Sequence, residues 1–396
     1  MNALVIGANE DSIKSMQIAR KYGFVIYAID GNKYAKGLAE ADYSYVIDIN
    51  DLEKVFSITD AIKPTVVLPA PIGHCLTTVG AVNDRYGLPG VSEKSAVLCT
   101  DKYKFSEVLE KNNLRNADTI LLCAGADNKR IIDKIKKYPV IVKPKTGSGS
   151  RGVEVFASKK ALLEWVESIG KADEDFTVES FISGDEYGID GAFSDGEFYL
   201  ILLRKKINTA PPYRQCVGYI SVSPDEDTAF YNSCIEIMKK IGDVLELRNC
   251  VLHADVIKDE FHKPFVIETS ARPSGHNLSN YFTPRVTGIN EVEEYIKSVL
   301  NQPFSYVCKK TEKMMIRFFD LPTGVVSKVP AKEEILEIKG VEDYRCNIKA
   351  GDRIDMVIDG ASVMGRGFYL IKGDSEKELF DIDTSIRSRF IIKPEM

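Results

Sequence analysis

Over roughly the first hundred residues, short apolar runs alternate with segments whose apolar residues recur every three or four positions. Residues 3–6, 25–29, 45–47 and 65–68 are rich in Val and Ile and too short for helices, so they read as strands. Residues 12–22 and 51–62 read as helices; in the first, Ile13, Met16, Ile18 and Ala19 gather on one side. This β-α-β series predicts a parallel, doubly wound sheet. Gly87-Leu-Pro-Gly90 reads as a turn or linker, and a helix over 101–112 follows with Lys102 near its start. The next stretch mixes a hairpin (139–157), helices (159–169, 229–245, 291–300) and strands (177–182, 198–203, 251–257, 264–267). Trp165, the single tryptophan, is expected to pack its helix onto a sheet. From about residue 310 the pattern changes to short strands at 315–319, 325–328, 353–358, 367–371 and 390–394. The predicted fold is multidomain, α/β and α+β. Residues 1–98 form the doubly wound N-terminal domain, 99–305 a central α+β module, and 306–396 a small β-rich C-terminal domain.

Composition narrows the class. With 44% hydrophobic and 28% charged residues the chain reads as an ordinary globular protein, and its net charge of −6 argues against a nucleic-acid partner. Small anionic ligands stay compatible, because local Lys and Arg clusters can form on an acidic protein. The eight cysteines are scattered without a Cys-x-x-Cys pair, which fits a reducing cytoplasm rather than a disulfide framework or zinc ribbon. The chain enters a strand directly from Met1, and no apolar run approaches the ~18 residues that span a membrane. Gly7 follows the first strand and Asp30 ends the second, but Gly7-Ala-Asn-Glu-Asp-Ser12 lacks the second and third glycines of a dinucleotide fingerprint.

Two segments carry candidate chemistry. The first is Pro139-Val-Ile-Val-Lys-Pro-Lys-Thr-Gly-Ser-Gly-Ser-Arg-Gly-Val153. A buried strand places Lys143 at its end. Gly147, Gly149 and Gly152 allow close backbone approach to a bound group. Ser148 and Ser150 add hydroxyls, and Arg151 a charge suited to phosphate. It reads as a phosphate lid on a hairpin or as a Gly/Ser turn with a solvated lysine. It is not a P-loop, since no Gly-Lys-Ser/Thr closes it and no helix follows.

The second segment runs from His253-Ala-Asp-Val-Ile257 to Pro264-Phe-Val-Ile-Glu-Thr-Ser-Ala-Arg-Pro-Ser-Gly-His276. If these two strands pair, Asp255 and Glu268 share one space and offer hard oxygen ligands to Mg²⁺, with phosphate completing the shell. The alternative is an acid paired with a base. Arg272, held by Pro273, presents a planar fork to a carboxylate or phosphate, or else makes a salt bridge. His253 shares a strand face with Asp255 and is expected to pack beside it. His276 reads as an exposed loop residue or a substrate contact. Arg204-Lys-Lys206 ends a strand and either points at phosphate or forms a solvated basic edge.

In this order, the pieces resemble the ATP-grasp superfamily of carboxylate–amine ligases over nearly the whole chain, with an architecture like that of L-amino acid ligases and biotin-carboxylase-like ligases. The resemblance implies ATP and Mg²⁺ as cofactors, with Mn²⁺ as a substitute. It assigns Lys102 and Lys143 to ATP phosphate, beneath the lid that holds Ser148, Gly149 and Ser150. Glu179-Ser180-Phe181-Ile182 resembles the hinge that meets adenine, Glu179 accepting from the amino group. Glu186 resembles the acid that holds the ribose hydroxyls, and Asp255 and Glu268 the magnesium carboxylates. Many relatives have Asn where Ser270 stands in Glu268-Thr-Ser-Ala-Arg272, so Ser270 would be the weaker third metal ligand and a second ion is in question.

The resemblance further implies an ADP-forming reaction: a small carboxylate, such as an amino acid, is phosphorylated and the acyl phosphate is coupled to an amine, with Arg272 as the catalytic residue. The partners implied are these small molecules, with a homodimer as the family-level expectation. The acceptor pocket is expected among Arg272, residues 274–277, 209–214 and 69–74. An ATP-binding regulator with lost turnover and a purine-pathway ligase are the alternatives.

Overall fold

A computed structural model describes residues 1–394 apart from 116, 127, 148, 150, 170–172 and 211–214. The N-terminal strands β1 (Asn2–Ile6), β2 (Val25–Asp30), β3 (Tyr43–Val46) and β4 (Val66–Val67) form a wholly parallel sheet in the order β3-β2-β1-β4. Parallel neighbours need crossovers, and helices Ile13–Lys21 and Leu52–Ile62 provide two of them. Asp51 caps the second by accepting from the Lys54 amide, and Lys63 ends it in the left-handed conformation. Helices Leu76–Tyr86 and Glu93–Thr100 then lead out of this sheet. They escape the sequence pattern because their small and polar residues (Thr77, Thr78, Gly80, Asn83, Ser95, Thr100) blur the helical period.

Strands β5 (Thr119–Leu122), β6 (Val140–Pro144), β7 (Glu154–Phe156) and β8 (Phe176–Ser180) make a small antiparallel sheet, ordered β5-β8-β6-β7. The expected hairpin is present, with Val140 opposite Phe156. Helix Lys159–Ile169 covers it, and Trp165 packs between Phe156 and Phe176 at 5.5 and 5.1 Å.

The main sheet is antiparallel throughout. It begins with β9 (Asp185–Ser194), β10 (Glu197–Asn208), β11 (Cys216–Val222), β12 (Cys250–Lys258) and β13 (Pro264–Ser270). Beyond residue 310 come β14 (Met314–Phe318), β15 (Gly324–Lys328), β16 (Val341–Cys346), β17 (Arg353–Ile354), β18 (Gly367–Lys372) and β19 (Ile391–Lys393). The eight-stranded order is β13-β12-β9-β10-β11-β14-β18-β16, so strands from both sides of residue 305 share one sheet; β17-β15-β19 stand apart. Helix Thr228–Leu245 presents Phe230, Cys234, Met238, Ile241 and Leu245 to the central strands at helical spacing. Gly242 lies so close to Phe193 that a methyl group there would meet the ring at 2.2 Å.

Two expectations change. The strand expected over 353–358 covers only Arg353–Ile354, because the following residues pair with no strand. The C-terminal segment also carries helix Glu376–Arg387, whose Leu379 and Ile386 are fully buried under β18. Among the described residues no helix is long and apolar enough to cross a membrane.

Candidate active site

The small sheet faces the main sheet across a cavity of about 380 Å³. Its described walls include the cations Lys102, Lys143, Arg151, Arg204, Lys206 and Arg272 and the acids Asp11, Glu179, Glu186, Asp255 and Glu268. Pro71 and the Ser274-Gly-His276 turn close one end; Ile141, Val155, Phe181 and Ile182 line the other. Of the residues singled out from sequence, Gly149 and Ser180 also border it. Ser148 and Ser150 lie outside the described residues, as do four residues (211–214) of the loop expected near the acceptor.

The floor arises from strand register. Asp255 stands directly opposite Glu268 on β13 and opposite Gly188 on β9, and Gly188 stands opposite Arg204 on β10. These four positions form one rung. Alternation then puts Arg204 and Lys206 on the same face and Lys205 on the other. Gly188 is the hollow in this rung, since a Cβ there would lie 2.0 Å from Arg204 Nη1. Through that gap Arg204 reaches Asp190 with two bonds, 3.0 Å from Nε and 2.8 Å from Nη2. Thr283 Oγ1 adds a third bond to Asp190 at 2.8 Å. Burial opposes charge on Arg204, but Asp190 outweighs it and holds the guanidinium firmly protonated. Arg204 and Lys206 are thus not a solvated edge.

Lys206 Nζ lies 2.6 Å from Asp255 Oδ2. Burial would raise the Asp255 pKa; Lys206 and Arg204 outweigh it and hold the carboxyl below its ordinary value. Glu186 borders the cavity and adds to the field that keeps Lys206 charged. Asp255 is therefore ion-paired, as one of its two sequence readings expects, and it lines the cavity together with Glu268. Ser270 sits opposite His253, on the same strand face as Glu268 but outside the cavity wall.

The roof is tied together by charge. Lys143 is 7% exposed and donates to Glu179 Oε2 at 2.9 Å. Arg115, which sequence reasoning missed, donates to the same oxygen at 2.5 Å. Thr177 Oγ1 bonds the other oxygen at 3.2 Å. Burial would raise the Glu179 pKa, but Lys143 and Arg115 outweigh it and hold it low. Both carboxylate oxygens of Glu179 are therefore engaged by protein. In the hinge, the Phe181 amide bonds the Pro139 carbonyl at 3.2 Å. Lys102 Nζ donates to the Gly147 carbonyl in the lid loop at 2.9 Å. Gly147, Gly149 and Gly152 all have positive φ (126°, 72° and 67°), which L side chains rarely adopt.

Arg272 bridges to the N-terminal sheet. Its Nη1 donates to the Pro273 carbonyl at 3.1 Å, while its buried Nε has no partner among the described residues. Gly73 packs against the guanidinium, and Asp11 shares its end of the cavity. Burial raises the Asp11 pKa, with Arg272 opposing. His253 packs beside Asp255 as expected, its Nδ1 3.3 Å from the Arg272 carbonyl; burial and Arg272 push its pKa down to about 3. His276 is half-buried at the cavity wall rather than exposed. Burial, Arg204, Lys206 and Arg272 push its pKa down to about 4.

The site is thus a four-stranded roof with a lysine and a glycine-rich loop, closing on a sheet with paired carboxylates. Residues 136–280 match the model of the ATP-grasp domain. That span is an ATP-grasp domain, and the curated relatives that the chain is similar to are ligases. A D-alanine–D-alanine ligase of Clostridium perfringens is 27% identical over 289 residues, covering 70% of this chain and 90% of that one. An alanine–anticapsin ligase of Bacillus subtilis is 24% identical over 226 residues, covering 49% and 46%. The crystal structure of an L-amino acid ligase from Bacillus licheniformis superposes with a TM-score of 0.81 at 18% identity, covering 100% and 99% of the two chains. An N5-carboxyaminoimidazole ribonucleotide synthetase from Thermotoga maritima gives 0.71 at 16% identity, covering 100% and 99%. At these identities the two structures speak to fold alone.

Proposed function

We propose that this protein phosphorylates the carboxylate of a small substrate, an amino acid, with MgATP and couples the acyl phosphate to an amine. The observation that carries the reading is the opposition of Asp255 and Glu268 on the floor to Lys102 and Lys143 in the roof, with Arg272 at the far end. Cations in both roof and floor suit a triphosphate, and paired hard oxygens suit Mg²⁺. Among the described residues no three His, Cys, Asp or Glu side chains gather as a metal cage. Two carboxylates therefore fit an ion that shares its shell with phosphate. Bound there, Mg²⁺ would neutralise phosphate charge, and Ser270 could join only from outside the cavity wall.

The chemistry needs alignment and charge neutralisation more than a protein nucleophile. The γ-phosphoryl group passes to the substrate carboxylate, with ADP leaving. The amine then attacks the acyl carbon, phosphate departs with the C–O bond pair, and an amide forms. Lys143 and Lys206 hold phosphate oxygens. The unpartnered Arg272 Nε donates to the transferred phosphoryl group or the acyl phosphate. The backbone of 180–182 borders the adenine end, and Glu186 receives the ribose hydroxyls. The lid around Gly149 excludes water from the acyl phosphate. The similarity to amino-acid ligases over 70% of the chain favours an amino acid over a purine precursor, for which the fold alone speaks.

The test is steady-state release of ADP and phosphate over a panel of amino-acid pairs. Release that depends on both amino acids supports the reading. AMP and pyrophosphate in their place rule out the acyl-phosphate route, and nucleotide binding without release over the whole panel sinks the ligase assignment.

A further inference from the structure

Arg115 lies in the connection between helix Lys102–Lys111 and β5. It carries a full charge at a side-chain exposure of 1%. Such burial is costly, and it persists only where the charge is paired and bonded. Three features of its surroundings belong to different parts of the site. Its Nη2 donates to Glu179 Oε2 in the roof at 2.5 Å. Its Nη1 points at the Ile267 carbonyl at 3.4 Å, one residue before Glu268 on the floor. Its guanidinium stacks over Phe265 at 4.9 Å, and Phe265 lines the cavity. It thus links the strand that anchors Lys143 to the strand that carries a floor carboxylate.

Glu179 Oε2 also accepts from Lys143 at 2.9 Å. Two cations therefore share one carboxylate. If Lys143 faced Glu179 alone, the full anionic charge would draw the ammonium into the roof. With Arg115 taking part of it, the local sum is +1, and the lysine keeps attraction to spare for a second anion. Arg suits this position because it stays charged when buried and its planar fork can face a carboxylate and a carbonyl together. Lysine could not span both.

We propose that Arg115 is a positioning residue for nucleotide binding. It divides the charge of Glu179 so that Lys143 remains available to phosphate, and it clamps the roof to β13. The inference rests on the proposed nucleotide site, and it touches no substrate itself.

The experiment is calorimetric titration of the full chain with ADP in magnesium chloride, using wild type, Arg115→Met, Glu179→Gln and the double variant. Arg115→Met should weaken ADP binding at least tenfold. In the Glu179→Gln background the same change should cost no further affinity, because the charge to be divided is gone. A structural lesion unrelated to Glu179 would instead multiply with it. The KM for the carboxylate substrate should stay within twofold of wild type. Unchanged ADP affinity in Arg115→Met, or losses that multiply in the double variant, would overturn the inference. If Arg115→Met does not fold, Arg115→Lys takes its place. It keeps the charge but not the fork, and a loss of at least threefold, absent in the Glu179→Gln background, is expected; wild-type affinity would again overturn it. Wild-type protein that binds no ADP would defeat the nucleotide site itself, an outcome distinct from either.

Discussion

The ammonium of Lys206 lies 2.6 Å from Asp255 Oδ2, reaching it across the strand whose facing residue is Gly188. This contact makes Asp255 different from Glu268, although the two acids are direct neighbours in the β12–β13 ladder.

Asp255→Asn and Glu268→Gln should both lower Mg²⁺-dependent turnover by about 100-fold or more, since each removes a charge from the proposed metal shell. Their stabilities should differ. Asp255→Asn leaves Lys206 buried without its counter-ion and should cost about 3 kcal/mol, the usual penalty for one half of a buried pair. Glu268→Gln should stay within about 1 kcal/mol of wild type. Turnover assays and urea unfolding check both; near-native turnover in either variant would remove that carboxylate from the ligand set.

Gly188→Ala tests the hollow. An added Cβ would stand 2.0 Å from Arg204 Nη1, and the bidentate contact with Asp190 confines the guanidinium. We expect a loss of about 2 kcal/mol or more from overpacking, together with a turnover defect as Arg204 and Lys206 shift. A variant with wild-type melting and kinetics would show that the floor has slack.

Arg272→Lys keeps a charge but loses the planar fork with its unpartnered Nε. The expected result is a fall in kcat of about 100-fold, the scale for one transition-state donor. ADP affinity should change less than threefold. A matching loss in ADP affinity would move Arg272 from the transferred group to the nucleotide.

His276 gives a pH dependence with a definite sign. Its folded pKa is pushed down to about 4, chiefly by burial. An unfolded histidine titrates near 6.5, so between roughly pH 6.5 and 4 only the unfolded state takes up the proton. Stability is therefore full above that window and falls as pH drops through it. His276→Gln should flatten the fall by on the order of 2 kcal/mol across the window. Unfolding curves at pH 7 and pH 4.5 for both proteins provide the check; identical slopes would mean that His276 is solvated.

Much of this was legible in the chain. The short β-branched runs at 140–142, 251–257 and 264–267 marked strands, and the Gly-rich stretch between Lys143 and Val153 marked the loop, because local sterics decide such features. Asp255 and Glu268 could be singled out because acids inside apolar strands stand out. Arg115 could not. It lies between two elements, in a segment without periodicity, and its neighbour Glu179 is 64 positions away. Asp11 was equally silent, as one acid in a polar loop. His276 looked exposed because a turn between Gly275 and Asn277 normally is; here tertiary packing half-buries it at the cavity wall and near Phe318.

The sequence by itself determined the alternation of elements, the doubly wound start, the lid, and the set of cations and acids, all of which depend on neighbours within a few residues. Tertiary structure decided which of those charges meet. The rung Glu268–Asp255–Gly188–Arg204 joins residues up to 80 positions apart. Register, burial and a missing side chain at Gly188 place them together, and no local pattern encodes a pairing whose free energy exists only when the strands are adjacent.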